Sequence, residues 1–97
     1  MVRHVALFRW HAGTPAEAIA EAKRRLDALP GRIPEIRRLA CGPDVGGADG
    51  HWDFAVAADF DDLAGYLAYR ENTEHQKIVE TFIQPIVGAR GAVQYEI

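Results

Sequence analysis

The chemistry available to this chain centres on His75 and Tyr69. With Asn72 as the cap of a helix, His75 is that helix's third residue. Its imidazole then stands near the positive end of the helix dipole, which disfavours the protonated ring. A neutral imidazole at pH 7 is a general base. The Tyr69 phenol can donate a hydrogen bond to a carbonyl oxygen that is becoming an enolate, so the two groups together can remove a proton α to a carbonyl and stabilise the oxyanion. The alternative uses no chemistry: His75 bonds a backbone group and Tyr69 packs on a sheet. His4 shares a strand face with Ala6 and Phe8, the side that also receives Trp52, Phe54 and Val56 if the strands pair in register. It is either a satisfied core histidine or part of a pocket wall.

Other chemistries find less support. His4, His11, His51 and His75 are scattered, with no His-x-x-x-His or carboxylate spacing among them, so no metal site is expected. Nothing marks a haem ligand. Cys41 is alone and cannot form an internal disulfide; it is read as a buried, inert thiol. The glycine-rich stretch Gly42 to Gly50 lacks a Gly-Lys-Ser/Thr ending and no helix follows it, so it reads as a mobile rim near a pocket or dimer edge rather than a phosphate loop. Eleven Lys and Arg against fourteen Asp and Glu leave a net charge of −3, which draws neither nucleic acid nor an anionic membrane. The apolar runs fall short of the roughly 18 residues of a membrane span. Met1-Val2-Arg3-His4 leads straight into a strand pattern rather than a signal peptide, so the cytoplasm is the expected compartment.

Positioning these groups requires elements that the patterning supplies. Ninety-seven residues suit a single domain, residues 1–97. Val2 to Trp10 alternates as a strand, with Val5 and Leu7 making its second face apolar as well. Thr14-Pro15-Ala16-Glu17 predicts a capping box and a helix with Ile19, Ala22, Leu26 and Leu29 on one stripe, ending before Pro30-Gly31. A second strand is expected over Ile36 to Gly42 and a third over Trp52 to Phe60. Asp61-Asp62 and Asn72-Thr73-Glu74 cap two further helical stretches, with Pro85 in a last turn or kink. Ala92 to Ile97 forms a fourth strand. The order β-α-β-β-α-β is the split βαβ, ferredoxin-like α+β arrangement, a four-stranded antiparallel sheet with its helices on one face. Because the strands are apolar on both faces, a second copy of the chain is the expected cover, giving a dimeric α/β barrel.

Five segments in order resemble the stress-responsive A/B barrel (Dabb) family: Arg3 to Trp10, Ile33-Pro34-Glu35-Ile36, Trp52-Asp53-Phe54, Tyr66 to Tyr69 with Glu74-His75-Gln76, and Gln84-Pro85-Ile86. The likeness runs the length of the chain and implies a homodimeric α+β barrel. Within the family, the chain is similar to the plant olivetolic acid cyclase, which closes a linear tetraketide by aldol condensation with no metal or organic cofactor. The resemblance implies Tyr69 and His75 as the acid–base pair and His4 as a pocket histidine. By pattern and resemblance, Phe8, Leu26, Val56 and Ile78 line the pocket for a small apolar or aromatic carbonyl ligand. Ala22, Lys23 and Leu26 stand where the cyclase has bulky aromatics on its first helix, so the resemblance does not carry the cyclase's substrate over to this chain. Two functions follow: a cofactor-independent, polyketide cyclase-like enzyme, or a non-catalytic stress-responsive dimer that serves as structure or binds a ligand.

Overall fold

The computed structural model describes residues 1–97. Strand β1 spans Val2–Trp10, helix α1 Ala16–Asp27, strand β2 Arg38–Pro43 and strand β3 Phe54–Phe60. Helices α2 (Leu63–Glu71) and α3 (Thr73–Ile78) follow, then a π-helical turn over Val79–Ile83, and strand β4 over Val87–Glu96 closes the chain. The strands form one antiparallel sheet in the order β2-β3-β1-β4. This is the ferredoxin-like arrangement expected from the order of elements.

Alternation decides which side chains meet. In β1, Val2, Ala6 and Phe8 are buried beneath the helices, and His4 lies between them half-buried. Register sets Phe54, Val56, Ala58 and Phe60 of β3 opposite Phe8, Ala6, His4 and Val2, so the inner face of the sheet is a nearly continuous apolar floor. Ala22 and Leu26 of α1 lie over it, with Leu29, Ile33 and Ile36 sealing the end. Full burial of such side chains stabilises by about 1.5–3 kcal/mol each.

Several boundaries differ from expectation. No capping box forms at α1: the Thr14 hydroxyl donates instead to the His11 carbonyl at 2.6 Å, and Pro15 occupies the cap position without a side-chain bond. Strand β2 starts at Arg38 rather than Ile36, whose side chain is buried in the preceding turn. Strand β3 starts at Phe54 because Asp53 sits in a bend, where its carboxylate accepts from the Trp10 amide at 2.8 Å. Trp52 therefore leaves the inner face. It packs with Arg9, 4.9 Å from the guanidinium carbon to the ring centre, and lies over Gly91 on the opposite side of the sheet. Strand β4 begins at Val87, earlier than its alternation suggested, because pairing with Trp10 across a bulge extends the ladder.

The caps of the later helices form as the residue types dictate. Asp62 accepts from the Gly65 amide at 2.9 Å. Asn72 accepts from the amides of Glu74 at 2.8 Å and His75 at 3.4 Å. These bonds tie His75 directly to the start of α3.

Candidate functional site

Between the helices and the inner face of the sheet lies a cavity of about 260 Å³. His4, Ala6 and Phe8 of β1 and Val56 of β3 form its floor. Tyr66, Tyr69 and Arg70 of α2, with His75 of α3, form one wall, and Val87 and Arg90 of β4 close the edge. Leu26 of α1 and Val79, Ile83 and Gln84 of the π-helical turn complete the lining.

Of the residues expected at a site, His75, Tyr69, His4, Phe8, Leu26 and Val56 meet at this cavity. Ile78 does not: it is buried in the core and forms no part of the lining. The reason is helical spacing: Val79 stands four residues after His75, on the face that lines the cavity, and Ile78 is turned from it toward the core. The Gln84 amide bonds the Val79 carbonyl, five residues back, at 2.8 Å. Val79 and Ile83, the two ends of that widened turn, both line the cavity.

Tyr69 and His75 are neighbours across the junction of α2 and α3, their ring centres 4.0 Å apart and the planes inclined by 41°. Tyr69 is only 5% exposed, and burial pushes its phenol well above the ordinary tyrosine range. It remains a hydrogen-bond donor at any pH near neutrality. Burial likewise pulls the His75 pKa below the usual histidine value. The nearby Arg70 carbonyl opposes that shift, while the charges of His4 and Arg90 reinforce it. The neutral ring follows from desolvation more than from a helix dipole, since α3 runs for only 6 residues. The Nδ1 atom of His75 is buried and has no hydrogen-bond partner in the protein.

His4 reaches the cavity from the floor. Its Nδ1 is hydrogen-bonded to Oε1 of Gln94 at 2.9 Å, which fixes the ring against β4. Burial lowers its pKa too, and Gln94 works against the shift. The ring stacks on Tyr66 with centres 4.6 Å apart. Tyr66, part of the segment that carries the family resemblance, is a wall residue beyond the expected site residues; it stands one helical turn before Tyr69, on the same face of α2. Arg90 and Gln94 were missed for a different reason, because only the pairing of β1 with β4 brings them beside Phe8 and His4.

The remaining features lie elsewhere. Cys41 is half-buried with its thiol 3.3 Å from Asp27 Oδ1; burial first and that carboxylate second push it up to about 12, so it is no nucleophile at neutral pH. The glycine-rich loop is absent from the cavity lining. It borders a hollow on the opposite face of the sheet, where Asp44 accepts from the Gly47 amide at 2.6 Å and pairs with His51 at 3.0 Å. No group of His, Cys, Asp and Glu side chains converges as metal ligands would. No helix is long and apolar enough to cross a membrane.

Comparison with known proteins sets this geometry in context. A dimeric ferredoxin-like protein of unknown function from Thermobifida fusca superposes with a TM-score of 0.89 at 38% identity, covering 99% of this chain and 90% of its own. A dimeric protein of unknown function and ferredoxin-like fold from Bacteroides fragilis gives 0.87 at 27% identity, covering 99% and 95%. A hydroxynitrile lyase from Passiflora edulis shares the fold with a TM-score of 0.85 at 22% identity, covering 99% of this chain and 92% of its own. No curated protein sequence matches the chain. The family model of the stress responsive A/B barrel domain matches residues 2–97, nearly the full length described above, and the chain belongs to this family, Dabb.

Proposed function

We propose that the protein is a homodimeric enzyme that carries out cofactor-independent acid–base chemistry on a small carbonyl compound. The observation that carries this reading is the buried, unpartnered Nδ1 of His75 beside the buried phenol of Tyr69, both on one cavity. A buried ring nitrogen without a partner is costly, and a ligand proton delivered to it relieves that cost. In the reaction His75 takes the proton from a carbon α to a carbonyl. The C–H electron pair moves into the carbonyl group, and the oxyanion so formed accepts a hydrogen bond from Tyr69. Where the molecule carries a second carbonyl, the enolate carbon attacks it in an aldol closure of the polyketide cyclase type, and the alkoxide so formed takes back the proton held by His75. A cavity of about 260 Å³ favours a short chain, since small-molecule sites run to roughly 300–1,000 Å³. A hydroxynitrile lyase with this fold supports the view that the architecture can serve an enzyme.

The dimer rests on the outer face of the sheet. Val5 and Leu7 of β1 stand there beside Ala57 and Ala55 of β3, with Val93 of β4, 59% exposed, across from Val5. A second copy applied to this face covers it, as the dimeric state of the Thermobifida and Bacteroides proteins suggests. The cavity lies on the other side of the sheet.

The test is hydrogen–deuterium exchange at the α-carbon of a short β-keto ester in D₂O, followed by proton NMR. Exchange above the buffer rate that disappears in His75→Ala supports the proposal. Binding of the ester with exchange no faster than buffer gives instead the non-catalytic ligand-binding dimer.

A further inference from the structure

The polar lining of the cavity is one-sided. Its titratable members are His4, Tyr66, Tyr69, Arg70, His75 and Arg90, and no aspartate or glutamate is among them. Arg70 has a carboxylate neighbour, Glu71, at 3.4 Å. Arg90 has none, although most arginines of this chain are paired: Arg3 with Asp59, Arg24 and Arg25 with Glu21, Arg32 with Glu74, and Arg37 with Asp61. Its position is set by strand register, opposite Phe8 and four residues before Gln94 on the same face of β4. From there its charge is felt at His4, Tyr69 and His75 together. A guanidinium with two parallel N–H donors is the side chain best matched to a carboxylate, and here it borders an apolar cavity in which nothing else neutralises it.

Building on the reading of His75 and Tyr69 as the reacting pair, we propose that the substrate is a keto acid, its carboxylate held by Arg90 and its carbonyl directed to Tyr69. Arg90 then sets specificity, and the apolar walls from Phe8, Val56 and Leu26 take the short carbon chain. The anion also offsets the electrostatic cost of a proton on His75, because a carboxylate beside Arg90 cancels the charge that otherwise opposes the imidazolium.

The experiment compares 3-oxohexanoate with its methyl ester by isothermal titration calorimetry on the wild-type protein, Arg90→Gln and His75→Ala. The acid is expected to bind the wild type roughly tenfold or more tightly than the ester, as a charge-assisted pair implies. Arg90→Gln should reduce that ratio to about one, while His75→Ala should keep it. Arg90 is exposed on an edge strand, so the substitution leaves the core untouched, and an unchanged melting temperature verifies this. Equal binding of acid and ester, no binding of either, or a preference that survives in Arg90→Gln overturns the assignment. Exchange chemistry that persists in His75→Ala overturns the catalytic reading alone, leaving the anion preference standing.

Discussion

The imidazole of His75 and the phenol of Tyr69 face each other at 4.0 Å between ring centres, and burial holds both in their neutral forms. For a base, neutral means active. Exchange activity should therefore be full at neutral pH and decline only on acidification below the ordinary histidine value of about 6.5. An NMR titration of the His75 ring should give a midpoint under that value. Stability follows the same sign: the unfolded chain binds the proton first, so stability declines as pH falls from about 6.5 toward the folded pKa and then levels off. A midpoint above 6.5 would contradict the burial argument.

Tyr69→Phe keeps the ring against His75 and Phe60 and removes only the hydroxyl. If that hydroxyl stabilises the oxyanion, exchange should slow by about 10²–10³-fold, the usual effect of losing one such donor. Ligand affinity should change far less. Single-turnover rates compared with dissociation constants separate the two.

Asn72 is the hinge on which His75 depends, because its side chain accepts from the amides of both Glu74 and His75. Asn72→Ala should cost about 1 kcal/mol. That corresponds to a melting temperature lower by roughly 4–8 °C for a domain of this size. The loss of exchange activity should exceed that of Phe82→Leu, a substitution of a half-buried residue outside the cavity lining. Calorimetry and exchange rates on the two variants check the order.

The outer face of the sheet predicts its own result. Val93→Asp puts a charge across from Val5 at the centre of the apolar patch and should convert the dimer to monomer in size-exclusion chromatography with light scattering. Binding of a keto acid should survive at the protomer level, since the cavity opens on the opposite face. A dimer that persists in Val93→Asp would place the interface elsewhere.

Much of this protein is legible in its residues taken alone. Two-residue alternation marks β1, and its double apolar character shows in the residues alone that both faces of the sheet call for cover, because side chains point to opposite faces whatever lies around them. The Asn72 cap and the position of His75 three residues later are equally local: a short polar side chain satisfies exposed amides at a helix start without help from the rest of the fold. Other features depend on contacts distant in sequence. Trp52 shares its parity with Phe54, yet the bond from Trp10 to Asp53 holds a bend there and sends it to the other face. Ile78 and Val79 are both apolar, and the way α3 packs on the sheet decides that Val79 meets the cavity while Ile78 enters the core. Arg90 and Gln94 carry no local sign of a site, because their role comes from a strand register set by the whole sheet. Sequence by itself determined the elements and their order, through short-range sterics and hydrogen bonding; the tertiary structure alone decided which side chains surround Tyr69 and His75, because strand register is settled by packing between distant parts of the chain.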